Sequence, residues 1–354
     1  MTGTATRTLS GIAVPHDALA MLDEICEHFI EHSRVERDGD FARLTSEIGV
    51  AGIRALDGKL IIDLSCPSEE ALQMSCNSIA EHLFYFAGDE PMELQWSEPA
   101  APAPLPNLHE CTVVSSEDVT PRMRRVKLAC SDIAPFVGGG MHVRLLVPPR
   151  QRTPVWPSIL PDGRTGWPEG EDELLVRVYT IRAVDAERGE LWVDFVQHGA
   201  PGEHAPGAGF ARTARPGDRV ALIGPGGGDL PQADHVLLAG DESALPAIAR
   251  IAAEIPAGTR LVAIIEVEDE AEEQPLPSKG TLEVRWLHRK AYPADAGMVL
   301  ASAVKAAVVA MGPETYVWVG CEKEEIRSIR SFLKQRGHAR EKRYVAWYWE
   351  RDKG

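Results

Sequence analysis

The chain has 354 residues, of which 44% are hydrophobic and 25% charged, and its formal net charge is -16 at pH 7. This length allows two or three domains at roughly 150 residues each, and the composition is ordinary for a globular protein. The acidic balance argues against a nucleic-acid-binding protein, which normally carries a basic excess. No apolar run approaches the ~20 residues of a membrane-spanning helix, and the first residues lack the apolar core of a signal peptide. We therefore expect a cytoplasmic protein without a membrane span.

The cysteines are spread widely, and no Cys-x-x-Cys pair is present. Neither an iron–sulfur nor a zinc site is indicated, and no metal ligand is assigned. We expect buried, reduced thiols. The six positions are Cys26, Cys66, Cys76, Cys111, Cys130 and Cys321.

The first part of the chain combines helical and strand patterns. Apolar residues recur at helical spacing within residues 16–33, and a second helix begins after Ser68. Strand-like pieces cover residues 59–64 and 93–96. These patterns predict a small α+β domain over residues 1–96, followed by a Pro/Ala-rich linker over residues 97–106.

Residues 107–230 are dominated by short strand patterns separated by turns rich in Gly, Pro and Asp. Six short strands with little helix predict a closed antiparallel β-barrel. A long loop is expected over residues 149–172. The predicted strands are 109–115, 121–129, 141–147, 174–184, 190–197 and 218–223.

From residue 231 to 354 strands and helices alternate, which predicts a parallel sheet with helices on both faces. Two helices are expected, over residues 244–254 and 322–336, with Gly337 just past the second as a C-cap. The predicted strands are 235–239, 260–267, 284–287 and 315–319.

The run Arg177-Val178-Tyr179-Thr180-Ile181-Arg182 lies on one of the barrel strands. Alternate side chains point the same way along a strand, so Arg177 and Tyr179 share one face and Thr180 and Arg182 the other. A tyrosine ring can lie against an isoalloxazine, a threonine hydroxyl can bond near its N5, and a guanidinium can grip a diphosphate. Taken alone, the run suits an ordinary amphipathic strand equally well. A β-rich domain around it favours a flavin.

A flavin-binding barrel followed by a nucleotide-binding α/β domain is the plan of ferredoxin-reductase-like enzymes. From about residue 107 onward the chain resembles the siderophore-interacting protein family of FAD-dependent ferric-siderophore reductases. The first ~95 residues resemble, more loosely, a small uncharacterised domain that implies no activity. The main resemblance rests on residues 119–123, 177–182, 193–199, 214–218, 224–227 and 240–248, with Trp318, Glu322, Tyr348 and Trp349.

The resemblance implies an FAD site on the barrel. Its isoalloxazine and phosphates would be held by Arg177, Tyr179, Thr180 and Arg182. A turn beginning at His198 and Gly199 would receive the diphosphate, together with the helix start at Gly207, Ala208 and Phe210. Phe210 stands where the family commonly has Trp, and the turn is a few residues longer than usual. His198 is given a binding role rather than proton transfer.

The resemblance also implies a nicotinamide-dinucleotide site, formed by Gly240, Asp241, Glu242, Ser243, Ala244, Glu266, Arg289 and Glu322. The turn after the first strand offers free N–H groups, although without the family it would pass for a plain βα turn. Glu266 and Glu268 suit a ribose 2′-OH, whereas Arg289 and Lys290 suit a 2′-phosphate. The sequence leaves NADH and NADPH both open.

A ferric siderophore is the expected small-molecule substrate. Ferric chelates are often anionic, so basic groups are expected near the flavin edge. The candidates lie near the C-terminal aromatic residues, and solvated surface charge is the alternative explanation for each. They are Lys342, Arg343, Arg351 and Lys353.

The predicted function is an NAD(P)H-dependent, FAD-dependent ferric-siderophore reductase that frees iron by reducing Fe(III) to Fe(II). No catalytic acid or base is assigned, because the cofactor supplies the redox chemistry. A general flavin-dependent reductase of other acceptors is one alternative, which substrate competition would separate. A non-catalytic siderophore-binding protein is another, and it would be colourless.

Overall fold

A computed structural model describes residues 6–30, 33–99, 103–138, 140–197, 205–293 and 296–351. The chain divides into two compact units, residues 1–108 with 151–173, and residues 109–150 with 174–354. The boundaries drawn at residues 97, 107 and 231 stay predictions. None of the helices in the described ranges is both long and apolar enough to cross a membrane.

The elements are numbered in chain order. The helices are α1 (Ala18–Phe29), α2 (Glu69–Ala87), α3 (Pro206–Thr213), α4 (Leu245–Glu254), α5 (Val299–Met311) and α6 (Lys323–Gln335). The strands are β1 (Arg7–Val14), β2 (Arg34–Asp38), β3 (Phe41–Ser46), β4 (Gly49–Leu56), β5 (Lys59–Cys66), β6 (Glu93–Trp96), β7 (Leu108–Thr120), β8 (Met123–Cys130), β9 (His142–Val147), β10 (Ser158–Ile159), β11 (Thr165–Gly166), β12 (Leu175–Asp185), β13 (Glu190–Val196), β14 (Arg219–Gly226), β15 (His235–Gly240), β16 (Arg260–Val267), β17 (Thr281–His288), β18 (Tyr316–Glu322) and β19 (Arg343–Trp349).

The first unit is a sheet in the order β2-β3-β4-β5-β1-β6 that packs against α1 and α2, which confirms the predicted α+β domain. The Asp17 carboxylate caps α1 by accepting from the amides of Leu19 and Ala20 at 3.0 and 3.1 Å. Ser68 caps α2 through the amide of Ala71 at 3.1 Å. Strand β1 was not predicted, because its buried positions include the small residues Gly11 and Ala13 rather than large apolar ones.

The segment 151–173, which interrupts the barrel in sequence, belongs to the first unit and carries the hairpin β10–β11. The Asn77 amide group on α2 donates to Gly163 O at 2.8 Å and to the Thr165 hydroxyl at 3.1 Å. The Trp96 indole donates to Asp162 O at 2.9 Å. The expected loop is therefore structured, because polar groups of the N-terminal domain satisfy its backbone.

The second unit begins with a closed barrel in the order β12-β13-β8-β7-β14-β9, which confirms the predicted six-stranded antiparallel barrel. Its interior is lined by alternate residues of each strand, as period-2 patterning requires. The fully buried ones include Val126, Leu128, Ile181, Leu191, Val193 and Val220.

The second unit continues with a parallel sheet in the order β17-β16-β15-β18-β19, which confirms the predicted α/β domain. Helix α4 packs on one face, and α5 and α6 pack on the other. Helix α5 was not predicted because its Ala/Val-rich sequence has only Ser302 and Lys305 as polar residues, which leaves the helical periodicity weak. The expected C-terminal tail is also corrected, since β19 pairs with β18 as a fifth strand.

Arg250 on α4 joins the parallel-sheet layer to the barrel. Its side chain is 1% exposed and donates to Ile181 O at 3.3 Å and Phe136 O at 3.0 Å, while Glu254 accepts at 3.0 Å. A buried guanidinium is tolerated only when its donors are satisfied. These bonds therefore fix the barrel and the sheet relative to each other within this unit.

Candidate active site

Tyr179 lies on the inner face of β12 and packs against Phe195, with ring centroids 4.3 Å apart. Its hydroxyl lies directly beside Gly207 in the first turn of α3. A Cβ added to Gly207 would sit 1.8 Å from the Tyr179 hydroxyl oxygen, so only glycine lets the helix approach this closely. Burial raises the pKa of Tyr179 to about 12, so the hydroxyl stays protonated.

Arg177 precedes Tyr179 by two residues on the same face of β12, roughly 7 Å further along the strand. It is exposed, and among the described residues its guanidinium donates only to Val176 O, at 2.8 Å. Helix α3 starts beside Tyr179 with Pro206 and without a side-chain cap in the described part of the chain, so its first amides lack intrahelical acceptors. An exposed arginine and a helix start on one side of a tyrosine fit the diphosphate of FAD.

Two further candidates lie on the same helix. Ala208 is buried, and Phe210 packs on Phe195 with ring centroids 5.9 Å apart. Phe210 thereby packs against the barrel core and supports the start of α3. His198 and Gly199 lie outside the described residues.

Thr180 lies on the opposite face of β12 and is 6% exposed. Its hydroxyl oxygen is 3.2 Å from Nδ1 of His142 on β9, and Nε2 of that ring is 3.2 Å from the Tyr348 hydroxyl on β19. Burial, helped by the Arg250 charge, lowers the pKa of His142 to about 4. The ring is therefore neutral near pH 7, with one nitrogen donating and the other accepting.

The sequence analysis identified only one of the two partners in this contact. Tyr348 was part of the resemblance without a role, and nothing in the local sequence marked His142. Its position opposite Thr180 follows from the antiparallel register of β9 and β12. Strand pairing, rather than any local pattern, brings the two together.

Arg182 is held inside the barrel domain by Asp194, which is 5% exposed. Arg125 forms a bidentate ion pair with that carboxylate at 2.7 and 2.8 Å, and Arg182 Nε lies 3.9 Å away. Burial lowers the pKa of Arg182, and the neighbouring Arg125 charge adds to this effect. The structure thus places Arg182 in an ion-pair network, and its cofactor role stays a prediction.

The carboxyl edge of the parallel sheet begins at Gly240, which pairs with Gly320 on β18. A Cβ on Gly240 would lie 2.4 Å from Gly320 O and 2.5 Å from the Ala244 Cβ, so glycine allows α4 to pack tightly on the sheet. Asp241 follows and accepts from the Ser243 amide at 2.9 Å and the Trp349 indole at 2.7 Å. Burial raises the pKa of Asp241.

Arg289, just after β17, lies among three carboxylates of this edge. It is bonded to Glu242, its Nη1 lies 3.2 Å from Glu266, and its Nη2 lies 3.7 Å from Glu268. Burial raises the pKa of Glu266, although Arg289 opposes that shift. The structure therefore brings the predicted residues Glu242, Glu266 and Arg289 together.

Glu322 ends β18 at the same edge and caps α6. Its carboxylate accepts from the amides of Glu324 and Glu325 at 2.7 and 3.3 Å. Burial, together with the nearby charges of Glu266, Asp241 and Glu322, raises the pKa of Glu325 to about 7. This end of the sheet is therefore acidic, with Arg289 beside it.

The expected basic cluster near the C-terminus is corrected by the direction of β19. Arg343 pairs with Val317 at the amino end of the sheet, where Lys342 Nζ bonds Glu314 at 2.5 Å. Arg351 follows the carboxyl end, with its guanidinium 6.0 Å from the Trp349 ring centroid. A strand of this length separates the two ends by roughly 20 Å. Lys353 lies outside the described residues.

Three family matches cover the chain. Residues 112–229 match the siderophore-interacting FAD-binding domain, residues 233–352 the siderophore-interacting protein domain, and residues 12–97 DUF2218, an uncharacterised protein conserved in bacteria. A relative from Vibrio cholerae serotype O1, named ferric vibriobactin reductase ViuB, is 32% identical over 246 residues, which are 68% of this chain and 88% of the relative. The chain belongs to the siderophore-interacting protein family. Its predicted family and the looser N-terminal resemblance are thereby confirmed.

Two further similar proteins agree with this assignment. The crystal structure of a siderophore utilization protein from T. fusca is 34% identical, with a TM-score of 0.55 over 72% of this chain and 95% of that one. An NADPH-dependent ferric-chelate reductase of Escherichia coli K12 is 24% identical over 68% of this chain and 92% of its own. The predicted cofactors and class, an NAD(P)H-dependent flavoprotein oxidoreductase with FAD on the barrel, are confirmed at this level.

Proposed function

We propose that this chain is a ferric-siderophore reductase, which uses NAD(P)H and FAD to reduce siderophore-bound Fe(III) to Fe(II) for iron assimilation. The observation that carries the proposal is the position of the Thr180 hydroxyl, held by His142 at the junction of the barrel and the parallel sheet. A flavin-binding barrel face and the ligand-binding edge of an α/β sheet meet at this point. The name of the Vibrio cholerae relative supports the ferric-siderophore substrate.

The groups available for the cofactor fit that assignment. Arg177 and the first amides of α3 would hold the diphosphate, and Gly207 leaves room for the Tyr179 hydroxyl beside them. When bound there, FAD would supply the redox chemistry, which is hydride acceptance from reduced nicotinamide and single-electron transfer to ferric iron. Thr180 would orient the ring edge by a hydrogen bond, and the neutral His142 would fix the direction of that hydroxyl without adding charge.

The outer face beside Thr180 suits an anionic chelate. Val178 shares this face and is 66% exposed, and it pairs with the exposed Arg144 on β9. Arg144 would attract the chelate, and the apolar Val178 would face its organic part. Hard oxygen donors hold Fe(II) less tightly than Fe(III), so reduction frees the metal. The roles of Lys342, Arg343 and Arg351, like the cytoplasmic location, stay predictions.

The experiment uses the full-length flavoprotein under anaerobic conditions. NADH or NADPH is added first and the bleaching of flavin absorbance is followed, and then a ferric siderophore is added with an Fe(II)-specific chelator. We expect bleaching, followed by flavin reoxidation with stoichiometric Fe(II) capture. Thr180→Ala should slow the electron-transfer steps, whereas the exposed Thr281→Ala on β17 serves as the matched control.

Two results would contradict the proposal. Colourless protein that binds ferric siderophore without taking up added FAD would instead indicate a siderophore-binding protein. A reduced flavin that reoxidises with quinones or free flavin but not with ferric siderophores would indicate a general flavin-dependent reductase.

A further inference from the structure

Three basic side chains lie at the corner of the parallel sheet after β16 and β17, namely Arg289, Lys290 and Arg122. The sequence offered the first two to a 2′-phosphate. Arg289 is bonded to Glu242 and lies 3.2 Å from Glu266. These carboxylate partners limit the ability of Arg289 to bind a 2′-phosphate. The side chains of Glu242 and Glu266 are only 10% and 12% exposed, whereas that of Arg289 is 36% exposed, so the carboxylate ends of these ion pairs are the ones shielded from solvent.

The two neighbouring basic residues are also paired. Lys290 Nζ lies 2.6 Å from Asp269 and 3.8 Å from Glu268, and Arg122 Nη2 lies 3.4 Å from Glu268. All three cations of this corner therefore already have carboxylate partners. A 2′-phosphate, with a charge near −2, would have to displace a carboxylate from one of them.

The carboxylates themselves occupy the position that selects a ribose hydroxyl. Glu266 and Glu268 lie at the end of β16, the second strand of the parallel sheet, about 26 residues after the turn at Gly240. In dinucleotide-binding folds an acidic residue at the end of the second strand accepts from the ribose 2′-OH, while a free arginine there receives a 2′-phosphate. In this protein Arg289 is already paired with the carboxylates of Glu242, Glu266 and Glu268.

We propose that NADH, rather than NADPH, is the preferred electron donor, and that Glu266 and Glu268 are the residues that determine this preference. The inference rests on the proposed function, since it concerns the donor of the same reaction. It separates this chain from the Escherichia coli relative named as NADPH-dependent, whose 24% identity does not fix the residues of this corner. The donor remains a reduced nicotinamide in both cases, so the hydride chemistry is unchanged.

The first measurement is equilibrium binding of NAD⁺ and NADP⁺ to the full-length flavoprotein by calorimetry, which requires no turnover. NAD⁺ should bind at least about tenfold more tightly, because like charges within a few ångströms repel the phosphate. The difference between the NAD⁺ and NADP⁺ dissociation constants should narrow as the salt concentration is raised, because partly exposed charges are screened. Anaerobic flavin bleaching by NADH and NADPH should show the same order in the ratio of kcat/KM values.

The double variant Glu266→Gln/Glu268→Gln keeps the oxygen acceptors and removes two charges. It should tighten NADP⁺ at least about fivefold, because the charges that repel the phosphate are gone. It should weaken NAD⁺ modestly, because an amide oxygen accepts from the ribose 2′-OH less strongly than a carboxylate does. Glu283→Gln on the adjacent β17, where the side chain is exposed, is the matched control and should change neither. Circular dichroism of each variant excludes unfolding as the cause.

The outcomes separate this inference from the proposed function. Equal binding, tighter NADP⁺ binding, or a double variant that leaves the ratio unchanged would overturn the NADH preference even if ferric siderophores are reduced. Selective NAD⁺ binding without reduction of a ferric siderophore would support the preference and overturn the reductase. Failure of both nucleotides to bind or to bleach the flavin would overturn both.

Discussion

The hydroxyl of Tyr348 on the last strand of the parallel sheet lies 3.2 Å from Nε2 of His142 on the barrel strand β9. The two rings meet edge to face, with centroids 5.6 Å apart and planes at 83°. The contact joins residues 206 positions apart in the chain. Because His142 also contacts Thr180, the C-terminal strand reaches the barrel face that we propose holds the flavin.

Removing the Tyr348 hydroxyl tests this link. Tyr348→Phe leaves a buried nitrogen of His142 without its partner, which costs about 1–3 kcal/mol of unfolding free energy. We expect slower flavin reduction as well, since the Thr180 hydroxyl loses its fixed direction. Urea denaturation and anaerobic stopped-flow absorbance measure the two effects. Tyr85→Phe, at a position 77% exposed, should change neither, and equal behaviour of the two variants would contradict the link.

The first turn of α3 tests the diphosphate site. Gly207→Ala would place a Cβ against the Tyr179 hydroxyl, whereas Gly209→Ala meets no atom within 4 Å. We expect the first variant to weaken FAD binding at least about tenfold, about 1.4 kcal/mol, because the helix start must move away. Fluorescence titration of apoprotein with FAD provides the dissociation constants. Gly209→Ala, on the same helix, is the matched control, and similar constants for both variants would refute the site.

The pH dependence of stability should change in Glu325→Gln. Burial raises the pKa of Glu325 from an ordinary 4.5 to about 7, so the folded state favours the protonated acid. The stabilisation is present below pH 4.5 and lost as pH rises through 7. The Ala301 N–H donates to the Glu325 carboxylate at 2.6 Å, and the glutamine side chain keeps an oxygen that can accept this hydrogen bond. After allowance for the partial exposure of Glu325, the unfolding free energy of the variant at pH 8 should exceed that of the wild type by about 1–2 kcal/mol.

Denaturation at pH 4 and pH 8 measures the Glu325 effect. The two proteins should coincide at the lower pH and differ at the higher one. Glu341→Gln, at an exposed position, is the control and should follow the wild type throughout. A constant difference across the range would indicate a packing effect instead of titration.

The segment 151–173 should depend on α2 for its structure. Asn77→Ala removes the donors to Gly163 O and Thr165, so we expect a loss of about 1–2 kcal/mol in the first unit. Limited proteolysis should then cut within residues 151–173 sooner than in the wild type. Gln73→Ala, on the same helix, is the control. Unchanged cleavage of the Asn77 variant would show that other contacts hold the segment.

Several parts of the fold were predictable because the deciding pattern is local. Asp17 and Ser68 mark helix starts by side chains that cap the next amides. The barrel strands alternate large apolar and polar residues, and this period placed Tyr179 and Thr180 on opposite faces. The structure confirms this arrangement, with Tyr179 packed against the barrel core and Thr180 against His142.

Other parts could not be read from local pattern. Helix α5 has only Ser302 and Lys305 as polar residues, so its periodicity is weak, and β19 is recognisable only through its pairing with β18. His142 lies in no recognisable motif, and its role is visible only from its contacts with Thr180 and Tyr348 on other strands. The expected basic residues do not lie together, because strand β19 separates Arg343 from Arg351.

The sequence by itself determined the family, the succession of a barrel and a parallel sheet along the chain, and the candidate residues for each cofactor. It could do so because helix caps, strand alternation and short motifs each depend on only a few neighbouring residues. The tertiary structure alone decided which of those residues are free to bind. Arg289 is separated from Glu266 by 23 positions and from Glu242 by 47, yet the parallel strands bring their charges together. Coulombic pairing depends on distance in space, and the sheet topology sets that distance.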